Sequence, residues 1–210
     1  MTQAALQQAC LEFLGQMTPA DAAHDLSHIK RVVKNCSYLT DIEQADAAIT
    51  LPAAWLHDCV AVAKDSPHRA MGSRLAADAA VEFLAGLDYS EERLTAIHHA
   101  IEAHSFSAGI APRSLEARVV QDADRLDSLG AIGIARCLLV GGHLGRPLFD
   151  PDDPFCDQRE PNDALYTIDH FYAKLFKLPE TMQTEAGREV AARRARLMRD
   201  YLDSLRDEIA

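Results

Sequence analysis

The sequence predicts an all-α fold, a single-domain helical bundle, and three observations carry that reading. Apolar residues recur at helical spacing along most of the chain, as in Ile29, Val32, Val33 and Cys36 at i, i+3, i+4 and i+7. Capping and breaking residues punctuate those stretches. Neither an alternating strand pattern nor an internal repeat is found, and no linker divides the chain.

Taken in order, Gln3 to Gln16 reads as a first helix with Leu6, Cys10, Phe13 and Leu14 on one face, ended by Thr18-Pro19. A second opens with Asp25 as N-cap and runs to about Asp41, with His28 in its first turn at the edge of the apolar stripe. A third includes Pro52 near its start and ends about His57-Asp58. It is apolar nearly all round, which places it at the centre of the bundle. Ser66-Pro67 opens a fourth helix, to about Leu84, and Gly86 ends it. Ser90-Glu91-Glu92 opens a fifth, to about Ser105, followed by a loop from Phe106 to Arg113 with Gly109 and Pro112 as breakers. Ser114 caps a sixth through Asp127. Gly130 and Gly133 then let a short helix, to about Val140, pack closely. Gly141 to Asp163 is one long irregular stretch with four prolines (147, 151, 154, 161), long enough to be a lid, a substrate loop or a disordered insert. Two helices finish the chain, Ala164 to Phe176 and Thr181 to Ile209.

Composition narrows the function classes. The 210 residues suit one domain, and 48% hydrophobic with 25% charged residues is ordinary for a globular protein. No apolar stretch approaches a membrane span, and the N-terminal residues lack the basic-then-apolar pattern of a signal peptide, so the expected location is the cytoplasm. Five scattered cysteines without a Cys-x-x-Cys pair read as free thiols. A net charge of −11 disfavours duplex nucleic acid as a partner. A small anionic substrate needs only a local group of cations. The expected state is a monomer or homodimer. Arg188, Arg193, Arg194, Arg196 and Arg199 share the last helix with Glu185, Glu189, Asp200 and Asp203, and read as a solvated face with internal pairing.

The most informative feature is His57-Asp58, closing the apolar run Leu51-Pro52-Ala53-Ala54-Trp55-Leu56. An imidazole and a carboxylate at the loose end of a helix can reach one ion, and that pairing suits Mn, Fe, Co, Ni or Zn and, with waters, Mg. His28 lies upstream, within His24-Asp25-Leu26-Ser27-His28, and Asp124 downstream, within Asp122-Ala123-Asp124-Arg125-Leu126-Asp127. On a helical wheel Leu115, Val119, Ala123 and Leu126 form a stripe that Asp124 faces away from, while Asp122 and Asp127 lie closer to it. Asp122 is therefore a reserve ligand.

A His, then an apolar run ending in His-Asp, then an Ala-Asp-Arg-Leu segment resembles the HD-domain metal-dependent phosphohydrolases, over nearly the whole chain. The segment His170-Phe171-Tyr172-Ala173-Lys174-Leu175-Phe176-Lys177-Leu178-Pro179 and the loop Gly145-Arg146-Pro147 resemble one bacterial branch of single-domain HD proteins, which are nucleotide pyrophosphohydrolase-like. The resemblance implies His28, His57, Asp58 and Asp124 as metal ligands for one divalent ion (Mn, Co, Ni, Mg, Fe or Zn). It implies hydrolysis of a phosphate ester or phosphoanhydride, with a nucleotide (NTP or dNTP) as substrate and a metal-activated water as nucleophile. Four protein ligands leave an ion that takes six with two open positions.

Other residues complete this expectation. Lys64 and Arg69 follow the pair closely and are the expected phosphate contacts, and Lys64 also stabilises charge in the reaction. His104, with Asp58, is assigned to the catalytic group as a proton carrier, and His98 is a further candidate for the same cleft. His143 and Arg146, with Asp150, sit on the glycine-rich stretch and could close over substrate. His98, His99 and His104 keep open a second metal, bridged through Asp58 or Asp124. Two other classes stand beside the hydrolase: a non-catalytic metal or nucleotide sensor, and a di-iron oxygenase using these extra histidines.

Overall fold

A computed structural model of the protein describes residues 2–16, 26–60, 62, 71–105 and 108–209. Among them nine α-helices form and no strand: α1 (Gln3–Leu14), α2 (Leu26–Glu43), α3 (Ala47–Leu56), α4 (Gly72–Ala85), α5 (Glu91–His104), α6 (Leu115–Leu126), α7 (Gly130–His143), α8 (Asp169–Ala173) and α9 (Glu185–Ile209). A 3₁₀ helix, Leu175–Thr181, lies between the last two. The all-α expectation is met. No helix of the described residues is long and apolar enough to cross a membrane. The chain forms two compact units, residues 1–124 and 125–210, and the division falls inside α6, so no linker marks it.

In the first unit α3 is the central element, packed on α1, α2, α4 and α5. Thr50 through His57 are all buried, as a helix apolar on every side requires. It starts earlier than the sequence pattern suggested. Asp46 caps it, accepting from the Ala48 N–H at 2.8 Å, so Pro52 lies in the helix interior. An interior proline leaves the carbonyl four residues back without its donor and costs about 3 kcal/mol in an isolated helix. Burial of the surrounding turns offsets that cost here. The Thr40 hydroxyl donates to Thr50 Oγ1 at 2.8 Å and stitches α2 to α3. Ser90 and Ser114 cap α5 and α6 as expected, accepting from the N–H groups of Arg93 and Ala117. The Thr18-Pro19 break, the Asp25 cap and the Ser66-Pro67 start lie outside the described residues.

In the second unit α7 packs on α9, and α9 on the 3₁₀ helix. α7 runs three residues past the expected end and carries Gly141 inside it. A Cβ there would collide with the Thr167 side chain, so glycine is what lets these segments meet. The helix expected from Ala164 to Phe176 shrinks to α8. Its first turns are pre-empted, because the N–H groups of Thr167 and Ile168 donate instead to Pro147 and Leu148 carbonyls. The basic run on α9 is only partly a solvated face. Arg194 is half-buried and donates to the Leu126 carbonyl, and Arg199 stacks over Phe176 at 4.7 Å.

The stretch before α8 is fixed by its own polar groups. The Asp153 carboxylate accepts from the N–H groups of Asp157 and Gln158 at 2.9 and 2.8 Å. Arg159 grips the buried Asp169 with both terminal nitrogens, at 2.8 Å for Nη2 to Oδ1, and the Asn162 N–H donates to the same carboxylate. Burial pushes the Asp169 carboxyl up, but Arg159 and the Asn162 amide outweigh it and hold it below the usual range. A carboxyl held below its unfolded value adds stability above that value and loses it as the pH falls through the folded one. Arg159→Met is therefore expected to lower the urea midpoint at pH 7, with the gap to the parent protein closing as the pH drops below the ordinary carboxylate range; fluorescence-monitored unfolding at pH 7 and pH 3 checks it.

Candidate metal centre

Three helix ends and one helix start supply the cluster. His57 follows the last residue of α3, and its Nδ1–H donates to the Ala54 carbonyl at 2.9 Å. That carbonyl is one of the last four in α3, which have no helical donor. The contact fixes the ring and leaves Nε2 with its lone pair facing inward. Burial holds the His57 pKa below the ordinary imidazole range, against an opposing pull from Asp58, so the ring is neutral at physiological pH. His28, the third residue of α2, is buried and brings its Nε2 to 3.3 Å from that of His57. Two buried imidazole nitrogens at this distance either share a proton or face a common cation.

Two carboxylates approach the same pair. Asp58 Oδ2 is 3.8 Å from His28 Nε2 and 3.6 Å from His57 Nε2, and Asp124 Oδ1 is 3.5 and 3.8 Å from them. The donor atoms of His28, His57 and Asp58 all lie within 4.8 Å of one another; Asp124 meets both imidazoles from outside that mutual set, so the carboxylates arrive from different directions. The imidazoles form a buried floor, while the side chains of Asp58 and Asp124 are 30% and 27% exposed.

His104 ends α5 and stands beside the cluster. Its Nδ1–H donates to the Ile101 carbonyl at 2.6 Å, and its Nε2 lies 3.6 Å from Asp58 Oδ1, the other oxygen of that carboxylate. Its ring is nearly perpendicular to that of His57, with centroids 4.9 Å apart. Burial opposes charge on His104, but Asp58, Asp124 and the Ile101 carbonyl together raise its pKa.

The remaining candidates divide. Asp124 meets both imidazoles, and the wheel conflict dissolves because Val119 through Ala123 are all buried, leaving no single stripe on α6. The His98 and His99 expectations are corrected. His98 pairs with Asp78 at 2.8 Å, and His99 accepts from the Arg113 N–H at 3.0 Å, so of the three extra histidines His104 alone is drawn to the cluster. Lys64 and Arg69 lie outside the described residues. His143, at the end of α7, is exposed, and Arg146 just beyond it is half-exposed. Sequence reasoning missed two amides. Asn35 Nδ2 donates to the Ala123 carbonyl at 3.1 Å, and Gln121 Nε2 to the Ala103 carbonyl at 2.7 Å. Their only sequence signal is helical spacing, seven after His28 and three before Asp124.

The donor set fits a divalent cation. Two imidazoles and two carboxylates suit Mn, Fe, Co, Ni or Zn, and the C-terminal ends of α3, α5 and α6 add their negative dipole ends nearby. His57→Ala and Asp58→Ala proteins are expected to lose bound manganese, read by metal analysis after dialysis, while circular dichroism retains most of the helical signal. Stoichiometric metal in either variant would refute the assignment.

Comparison with known proteins agrees with this geometry. A family model described as HD domain matches residues 25–129. YpgQ of Bacillus subtilis, described as uncharacterized, is 30% identical over 197 residues, covering 92% of this chain and 88% of YpgQ. A crystal structure of an HD-superfamily hydrolase from Bacillus thuringiensis superposes with a TM-score of 0.75 at 33% identity, covering 98% of this chain and 97% of that one. B. subtilis YpgQ solved in complex with ADP gives a TM-score of 0.74 at 30% identity, with 97% of each chain covered.

Proposed function

The chain belongs to the HD domain family, and from that premise we propose that it is a divalent-metal-dependent phosphohydrolase acting on a nucleotide, as an NTP or dNTP pyrophosphohydrolase. The observation that carries this reading is the convergence of His28, His57, Asp58 and Asp124 within 3.3–3.8 Å contacts, on a floor of buried imidazoles with partly open carboxylates. The hydrolase named among its structural neighbours supports the reaction class, and the ADP held by YpgQ supports a nucleotide.

In this reading the Nε2 atoms of His28 and His57, with Asp58 Oδ2 and Asp124 Oδ1, hold the ion. When bound, a divalent ion lowers the pKa of water and draws charge from a phosphoryl oxygen. The chain's own groups do the rest. The Ala54 carbonyl keeps His57 in the tautomer that presents Nε2, and burial keeps that nitrogen free of a proton. Asp58 divides its oxygens, Oδ2 toward the imidazole pair and Oδ1 toward His104. His104 is anchored by Ile101 and positioned to carry a proton at Nε2 beside Asp58. Lys64, Arg69, His143 and Arg146 are the proposed phosphate contacts.

The test is phosphate and pyrophosphate release from NTPs, dNTPs, monophosphates and (p)ppGpp by metal-stripped protein resupplied with Mn, Co, Ni, Mg or Zn. Metal-dependent pyrophosphate release from a triphosphate, absent in Asp58→Ala, is the expected result; retained metal with no release from any pairing overturns the reading. Lys64→Ala and Arg69→Ala should each raise KM by about tenfold, the scale of one charge-assisted contact, with metal content unchanged.

A further inference from the structure

α6 is held from both sides by amide side chains, and both grips fall next to the cluster. From α2, Asn35 Nδ2 donates to the Ala123 carbonyl at 3.1 Å, the peptide that leads into Asp124. From α6 itself, Gln121 Nε2 donates to the Ala103 carbonyl at 2.7 Å, the peptide that leads into His104. Ala123 and Ala103 are each within the last four residues of their helices, where carbonyls lack a helical donor. Each amide therefore meets an acceptor the helix leaves over, and each ties the backbone beside one cluster residue to a neighbouring helix. Asn35 shares α2 with His28, two turns on, so its contact spans the elements of two of the four metal-facing side chains. Gln121 is 2% exposed, so its contact is shielded from competing water.

We propose that Asn35 and Gln121 are positioning residues with separate duties: Asn35 sets the spacing between His28 and Asp124 and hence cation affinity, and Gln121 sets the place of His104 beside Asp58. The proposal rests on the metal-centre reading above. Carboxylates and imidazoles on different helices can hold one cation only if the helices keep their register to within a fraction of an ångström. A groove-spanning amide-to-carbonyl bond supplies that register without placing a charge near the donors. Groups behind metal ligands are typically worth 10- to 100-fold in affinity.

The experiment measures manganese affinity, by competition with a chromophoric chelator, on the parent protein, Asn35→Ala, Asn35→Gln and Gln121→Met, with urea unfolding of each alongside. Histidine-ring proton spectra of the metal-free proteins are recorded in parallel. Asn35→Ala is expected to weaken manganese by about tenfold or more, and Asn35→Gln, which keeps a donor, to recover part of the loss. Gln121→Met is expected to leave affinity within about twofold, well below that range, yet to shift the Nδ1 proton of His104 and leave that of His57 in place. A parent protein that binds no manganese overturns the metal-centre reading. A parent that binds it, with Asn35→Ala binding equally well, overturns this proposal alone. So does an unmoved His104 resonance in Gln121→Met, or an affinity loss accounted for by the unfolded fraction.

Discussion

The backbone carbonyls left over at helix ends are the constraint on which this site depends. α3, α5 and α6 each finish with four carbonyls that no helical N–H can reach, and these ends lie in a protein interior where an unmet acceptor is costly. Turns and Arg194 meet some of them, and four are met by side chains that belong to the cluster or adjoin it. The His57 ring takes Ala54, the His104 ring takes Ile101, Gln121 takes Ala103 and Asn35 takes Ala123. One set of hydrogen bonds thereby ends three helices and aims the imidazoles. Because each ring spends its Nδ1–H on a carbonyl, its Nε2 is what remains for the cluster. The same geometry directs three negative dipole ends toward the place where the carboxylates sit, which favours a cation there and disfavours an unpaired anion.

How much of this could be read from the sequence follows from how local each cause is. His57-Asp58 stood out because two polar side chains close an apolar run, a pattern written in eight consecutive residues. The central place of α3 followed from the same run. Its starting point did not, because proline is commonest in a first helical turn and the pattern gives no sign that Asp46 caps the helix five residues sooner. The helix expected from Ala164 failed for a non-local reason. Thr167 and Ile168 spend their N–H groups on carbonyls twenty residues earlier in the chain, and no window of local periodicity contains that pairing.

Asp124 shows the limit of a one-stripe helical wheel. A wheel assumes one buried face and one wet face, which makes Asp122 the inward residue. α6 is enclosed over the whole turn from Val119 to Ala123, so inward has more than one direction and Asp124 points along the one that meets His28 and His57. The motif resemblance pointed to Asp124, and periodicity to Asp122. Asn35 and Gln121 were invisible for a related reason: an amide on a helix is unremarkable until the carbonyl opposite it is known.

The distribution of burial across the cluster bears on what can approach it. With His28 and His57 on the floor and the carboxylates partly open, the face presented to solvent carries the charge of Asp58 and Asp124, in a chain whose net charge is already −11. Such a face repels a phosphate. Screening at physiological salt confines that repulsion to about 8 Å, so the outcome is set locally and not by the acidic surface as a whole. In the proposed reading a divalent ion would cancel the two carboxylates, and the proposed lysine and arginine contacts would then attract an anion. The ion would thus serve the arrival of an anionic substrate as well as its reaction, and the chain's acidity would be no obstacle once the cluster is filled.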